Sequence, residues 1–164
     1  MLTFVKYVHL LSLVTWLGSM IFFSFVAAPS IFKEFERKQA GDIVGALFPK
    51  YFLLEEICVV ASAGTLLLLG AKVGFGGGVK VGLVLLALMG GMVFYSGMVN
   101  GPRAREVKIE IRAAEGDEAK VAALRKEFGR LHGVSVIVNL AILALGLGLL
   151  YVALGYLSLL PKIA

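Results

Sequence analysis

His9, Ser12, Trp16 and Ser19 recur at spacings of three, four and three, which puts all four on one face of a helix. His132, Ser135 and Asn139 form a comparable polar stripe later in the chain, while Glu55 and Glu56 open one apolar stretch and Asn100 and Arg103 close another. A carboxylate beside Arg or His can hold a cation, a proton or a polar head group. Glu55, Glu56, Asn100, Arg103, His132, Ser135 and Asn139 are therefore expected to converge as a ligand-binding cluster or a proton or ion relay. The same groups paired only with each other would fix helix register instead. His9 has two readings: a hydrogen bond to a neighbouring helix, or a haem ligand with Met89 or with an open sixth position. A His9–His132 haem clamp is not expected, because antiparallel helices put the two at depths differing by roughly 20 Å or more.

No nucleophile–base–orienter set and no H-E-x-x-H spacing occurs, so hydrolytic chemistry is not expected and a non-enzyme is. Cys58 is the single cysteine, which leaves no intrachain disulfide and no structural Cys/His zinc site.

The elements that carry these residues are apolar and long. Tyr7 to Phe32, Ile57 to Ala71, Val81 to Pro102 and Leu131 to Pro161 contain no Asp, Glu, Lys or Arg. The chain of 164 residues is 59% hydrophobic, with a mean hydropathy of +0.92. A membrane-crossing helix needs about 20 mainly apolar residues, and its backbone must be satisfied internally. An all-α, four-helix transmembrane bundle of up-down topology follows, as a single integral membrane domain over 1–164. Its spans are expected at about 3–31, 51–71, 80–101 and 130–158, with a cytoplasmic helical hairpin at about 103–128. The first apolar run is much longer than the signal-peptide range of about 7–15 residues, so it reads as a retained helix.

Net charge is +5. Of the 16 Lys and Arg, twelve fall in the connections after the first and third spans, and Lys6, Lys72, Lys80 and Lys162 lie on the opposite side. The positive-inside rule makes both basic connections cytoplasmic and both termini external, in a membrane read as the bacterial inner membrane. Juxtamembrane basic residues interspersed with Glu and Asp need no nucleic acid to explain them.

Pro29 is expected to kink or stop the first helix. Asp42 can cap a short amphipathic helix on the membrane surface carrying Ile43, Val44 and Leu47. Phe48-Pro49-Lys50-Tyr51-Phe52 would then turn the chain into the second span. Gly74, Gly76, Gly77 and Gly78 mark a turn without the P-loop lysine-serine pair. Gly116 breaks a helix over 104–114, and Asp117 can cap a second one through Phe128. Val107, Ile111, Val121 and Leu124 should form the seam between them. Gly78/Gly82 and Gly97/Gly101 have the small-xxx-small spacing of close helix contacts, and Gly146, Gly148 and Gly155 mark the fourth helix.

These residues resemble the transmembrane protein 205 family of small four-helix membrane proteins over most of the chain. The likeness rests on Val8-His9-Leu10-Leu11 with Trp16, and on Leu47-Phe48-Pro49 with Tyr51-Phe52. It continues through Val99-Asn100 with Pro102-Arg103, Leu131-His132-Gly133-Val134-Ser135, and Asn139-Leu140. It implies that the polar residues near the cytoplasmic end matter, and it supplies no reaction. His9, Trp16 and Gly18 are also similar to the pattern of copper-resistance-D-like membrane domains and membrane-bound protoporphyrinogen oxidases, where the histidine is implicated in haem binding. Ala27-Ala28-Pro29-Ser30 stands where those oxidases carry an arginine and a further histidine. Three functions remain open on sequence: a small transporter or ligand-binding membrane protein, a haem- or metal-binding redox protein, and an accessory subunit of a larger membrane complex; a homo-oligomer is open as well.

Overall fold

The computed structural model describes residues 1–158. The expectations for Pro161 and Lys162 lie outside the described residues. Four helices follow in chain order, each long and apolar enough to cross a membrane: α1 Leu2–Glu34, α2 Arg37–Val73, α3 Gly77–Ala113 and α4 Glu118–Ser158. They run up and down, each beside its chain neighbour, and α4 also packs on α1 to close the bundle. Residues Val79, Gly82, Leu86, Met89, Val93, Ser96 and Asn100 are the buried face of α3. Their alternating spacing of three and four is that of helices packed at a shallow angle. The core gathers Leu13, Trp16, Leu17 and Met20 with Leu66, Leu86, Met89, Ile142 and Leu149. Phe4, Phe22, Val60, Leu68, Val84, Phe94, Ile137 and Tyr151 point outward. In a membrane these faces meet lipid.

The helices have 33 to 41 residues. At 1.5 Å per residue they are about 50–60 Å long, against a hydrocarbon core of about 30 Å. Most of the charged residues lie at the end that carries the α1–α2 and α3–α4 connections, here termed the basic end. At the opposite, terminal end, Gly74 reverses the chain with φ +90° and donates its N–H to Gly70 O at 2.8 Å. At the basic end Gly116, with φ +109°, closes α3, and Asp117 Oδ1 accepts the Lys120 N–H at 3.0 Å.

Three sequence expectations are corrected at the basic end. Pro29 does not stop α1, which continues to Glu34. Just before it, Phe23–Ala27 form a π-helical turn in which the Ala28 N–H reaches Phe23 O. A proline removes an N–H and crowds the carbonyl four residues back. The wider turn moves that carbonyl away from the ring. The same solution recurs on α3, where Ser96–Asn100 form a π turn two residues ahead of Pro102. Secondly, Asp42 caps no separate surface helix. Thirdly, Phe48-Pro49 makes no turn, because α2 is unbroken from Arg37 through Pro49 to Val73. An aromatic cluster spans this level: Phe23 stacks on Tyr51 at 4.9 Å and Phe48 on Phe52 at 5.6 Å. Ala40 and Val44, on the stretch expected to lie on the membrane, are buried.

Asp42 instead ties α2 to α3. It pairs with Lys108 at 2.6 Å and with Arg112, while Lys108 Nζ also donates to Gly41 O at 2.8 Å. The hairpin of α3 and α4 forms with its expected seam: Val107, Ala114 and Leu124 are buried, with Ile111 and Val121 against them. The second helix of that hairpin is continuous with the fourth span, since α4 runs through Phe128 without a break.

Glycine sets the closest approach in the core. A Cβ on Gly82 would come within 2.9 Å of Leu66 Cδ2 and 3.4 Å of Tyr156 Cε1, whereas Gly148 meets nothing. Gly82→Leu should therefore overpack the α2–α3–α4 contact by about 1–3 kcal/mol. Gly148→Leu should stay within about 0.5 kcal/mol of the parent. Thermal unfolding in detergent separates the two; equal midpoints would refute the packing assigned to Gly82.

The Lys108 hydrogen bond, helped by the Lys108 and Arg112 charges, holds the Asp42 carboxyl below its ordinary value of 3.8. A carboxyl held low in the fold contributes above its ordinary value, and that contribution fades as pH falls through the lower folded value. Protection from hydrogen exchange across 38–46, taken relative to the intrinsic rate at each pH, should fall on acidification below about pH 4, or in high salt, which screens exposed pairs. Asp42→Asn should show the quicker exchange already at neutral pH; parent-like protection in that variant would dismiss the tie.

Candidate functional site

The buried polar groups form a ladder between α1 and α2. Along α1 the rungs are His9, Ser12 and Trp16; along α2 they are Thr65, Ser62 and Glu55. All six are buried, Glu55 to 1% exposure and His9 to 0%. His9 meets Thr65 and Ser12 meets Ser62 in one antiparallel register, three residues on along α1 for three back along α2.

At the terminal end, His9 Nδ1 lies 2.9 Å from Thr65 Oγ1 and Nε2 lies 2.6 Å from the Tyr156 hydroxyl. Thr65 directs its only proton to backbone carbonyls, Ala61 O at 2.6 Å and Ser62 O at 3.1 Å. It must therefore accept from His9 Nδ1–H, and Nε2 of the neutral ring accepts from Tyr156. Ser12 donates to His9 O at 2.9 Å, so the 2.8 Å contact with Ser62 is donated by Ser62. Every donor in this rung is accounted for, and His9 is the hub that joins α1, α2 and α4.

Toward the basic end Trp16 Nε1 donates to Glu55 Oε1 over 3.3 Å. One turn from Glu55 on the same face of α2 stands the Tyr51 hydroxyl. It donates to Asn139 Oδ1 at 3.0 Å, and Asn139 Nδ2 donates to Ser24 at 2.9 Å. Beyond this, Asn100 Nδ2 donates to Ser135 Oγ at 2.7 Å and to Leu131 O at 3.1 Å. Asn100 Oδ1 is buried and has no partner among the described residues. Ser24 and Asn100 belong to the two π turns, and Ser135 and Asn139 stand one turn apart on α4. The two π turns thus hold one polar stripe of α4 between them.

The expected single cluster is divided. Asn100 joins Ser135, and Asn139 joins the Glu55 group through Tyr51. Glu56 faces the α2–α3 side, in a groove with Val59, Gly90 and Phe94. Arg103 reaches neither glutamate. It pairs with Glu127 at 2.8 Å, Glu110 at 3.0 Å and Glu106 at 3.4 Å on the open hairpin. The Glu127 hydrogen bond first, then that of Glu110, holds its guanidinium above the usual arginine value. His132 is exposed on α4. It lies roughly 36 Å along that helix from Tyr156, and so from His9. Met89 packs against Gly146 in the apolar core. Gly146 is roughly 15 Å along α4 from Tyr156, so His9 and Met89 are not brought together. Both ring nitrogens of His9 are already bonded. Among the described residues no three His, Cys, Asp or Glu side chains gather at one point.

Sequence reasoning missed Ser24, Tyr51, Ser62, Thr65 and Tyr156. A signal for most of them was present: Tyr51, Glu55, Cys58, Ser62 and Thr65 recur at four, three, four and three. That is one face of α2, as regular as the α1 face that was read.

The chain matches the family described as "Domain of unknown function (DUF4149)" over residues 11–113, more than half its length, and it belongs to that family. The match takes in Trp16, both glutamates, Asn100 and Arg103; His9 and the whole of α4 lie outside it. A protein of Aquifex aeolicus (strain VF5), described as "Uncharacterized protein", is 37% identical over 139 residues, covering 85% of this chain and 87% of the relative. No solved structure matches the chain.

Interhelical hydrogen bonds inside membranes average about 0.6 kcal/mol and reach about 1.7 kcal/mol. A double-mutant cycle of Ser12→Ala and Ser62→Ala, read by unfolding in mixed micelles, should return a coupling in that range. Strictly additive losses would mean that the two hydroxyls do not bond across the helices.

Proposed function

We propose that this DUF4149-family membrane protein carries protons, or a small cation in a proton's place, across the bilayer, with Glu55 as the carrier group. The observation that carries this reading is a carboxyl buried to 1% exposure at membrane depth, which accepts from the neutral Trp16 indole and, among the described residues, pairs with no cation. An uncompensated negative charge there is costly, and ionisable residues inside membranes mark ion and proton paths. Such a carboxyl sits with a proton or with a bound cation.

The neighbouring groups suit that task. Trp16 fixes one oxygen of Glu55. The Tyr51 hydroxyl, donating to Asn139, stands between the carboxyl and the polar stripe of α4. A turn of that hydroxyl from Asn139 to Glu55 exchanges one hydrogen bond for another. Asn139, Ser24, Ser135 and Asn100 continue the polar path toward the basic end, where the free Asn100 Oδ1 offers an acceptor. At the terminal end, His9 and Tyr156 form a pair through which a proton can pass. Between Ser62 and Glu55 the ladder is broken for about 10 Å along α2, bridged only by Cys58. Transfer across that gap needs helix movement, which favours a carrier over an open channel. By the positive-inside rule the basic end faces the cytoplasm, and the bacterial relative supports a bacterial inner membrane.

Glu55→Gln keeps the shape of the side chain and removes its titration. In proteoliposomes carrying an internal pH dye, the parent should dissipate an imposed pH gradient, and Glu55→Gln should slow this at least about tenfold. Its thermal midpoint should stay near the parent's, separating lost transfer from lost fold. Parent-like proton flux in Glu55→Gln would end this reading.

A further inference from the structure

Glu55 and Glu56 are consecutive, so about 100° of helix rotation separates them and they face different surroundings. Glu55 faces α1. Glu56 faces α3, half-buried, and among the described residues it has neither a hydrogen bond nor an ion pair. Its carboxylate lines a groove of about 200 Å³ with Val59, Val60, Gly90, Val93 and Phe94. Everything in that lining except the carboxylate is apolar.

The groove exists because α3 presents glycine where it would otherwise present a side chain. A Cβ on Gly97 would stand 2.9 Å from Glu56 Oε1, and a Cβ on Gly90 would stand 3.0 Å from Val59 Cγ1. Gly90 and Gly97 are two turns apart on one face, so together they clear a lane along α2. The lane opens toward lipid, since Val60 and Phe94 are strongly exposed on the bundle exterior. Glu56 lies roughly 9 Å along α2 from Lys50, so the carboxylate sits inside the apolar layer, below the charges of the basic end.

An acceptor of that kind, unpaired and walled by hydrocarbon, selects a ligand with a positive head and an apolar body. Phe94 adds a ring face, which attracts a cation further. An apolar cavity of about 150 Å³ accommodates benzene, so this groove has room for a ring with a short cationic arm. Anions and neutral sugars have no donor to meet there. We infer that the α2–α3 groove at Glu56 binds small amphipathic amines that reach it from the lipid phase. The site lies on a different face of α2 from the Glu55 ladder, and binding there requires no proton transfer.

The probe is radiolabelled benzyltrimethylammonium, added to the purified full chain in dodecyl maltoside micelles, which carry no amine and no charge. Saturable binding to the parent is expected. Glu56→Gln should weaken it at least tenfold, and Gly97→Ala should weaken it by displacing the carboxylate. Absence of saturable binding, equal binding by Glu56→Gln, or equal competition by the neutral tert-butyl isostere of the probe would each overturn the proposal. Competition by added phosphatidylethanolamine would support it and identify a lipid amine as the occupant; indifference to that lipid with binding intact would support it for free amines. Because proton flux is not read, failure here leaves the Glu55 reading to its own test.

Discussion

Hydrocarbon offers no partner to a polar group, and the arrangement of this bundle follows from that constraint. Each buried donor or acceptor must find its complement on another helix, or on its own backbone. The α1–α2 ladder is the consequence. His9 meets Thr65 and Ser12 meets Ser62 in one antiparallel register. A slip of one residue would rotate every rung away from its partner. The individual bonds are weak, because the separated helices also find partners within the membrane. Their collective effect is to forbid alternative registers, which smooth apolar faces would tolerate. Tyr156 extends this to α4 by closing on His9 at 2.6 Å. Gly82 provides the space for the ring on which that bond depends.

The same constraint explains the π turns. Pro29 and Pro102 would each leave a backbone carbonyl without its donor and press a ring against it. A π turn two residues ahead resolves the crowding by shifting the bond pattern by one residue. It also rotates the side chains beyond it relative to those before. Ser24 and Asn100, which sit within these turns, reach Asn139 and Ser135 on α4. Two prolines on parallel helices therefore align two polar side chains on one stripe of a third helix.

Much of this was legible in the sequence. The four charge-free stretches mark the four spans, and the seam of Val107, Ile111, Val121 and Leu124 follows from helical spacing. The α1 stripe needed only its three-four-three period, and the pairing of Asn100 with Ser135 follows from their common level. What was not legible came from competition between local signals. Pro49 outside a helix makes a turn; here Phe23, Phe48, Tyr51 and Phe52 pack across it, and the carbonyl it orphans belongs to Gly45, the least hindered of residues. Arg103 beside a buried glutamate would be a site. With Glu106, Glu110 and Glu127 all within reach on open helices, it has nearer partners that need no desolvation. His132 carries the same lesson. A titratable residue at a helix level says nothing of which face it occupies, and α4 turns the half-buried Ser135 and Asn139 and the buried Ile142 inward instead.

The two glutamates show how far face decides role. A pair at consecutive positions can never share one surface, so only one of them can enter the ladder. The four-three-four-three period of Tyr51, Glu55, Cys58, Ser62 and Thr65 selects Glu55, and Glu56 is left to α3 by the same geometry. On the reading proposed here, the break at Cys58 is as significant as the rungs. An unbroken hydrogen-bonded chain from His9 to Ser24 would conduct protons in either direction without regard to anything else. A gap of about 10 Å makes transfer conditional on movement. Movement is most accessible where the helical hydrogen-bond pattern is already irregular, which is at the π turns that hold the α4 stripe. The polar path and the irregular turns meet at Ser24, Asn100, Ser135 and Asn139, so any shift of α1 or α3 there also breaks or remakes the exit from Glu55.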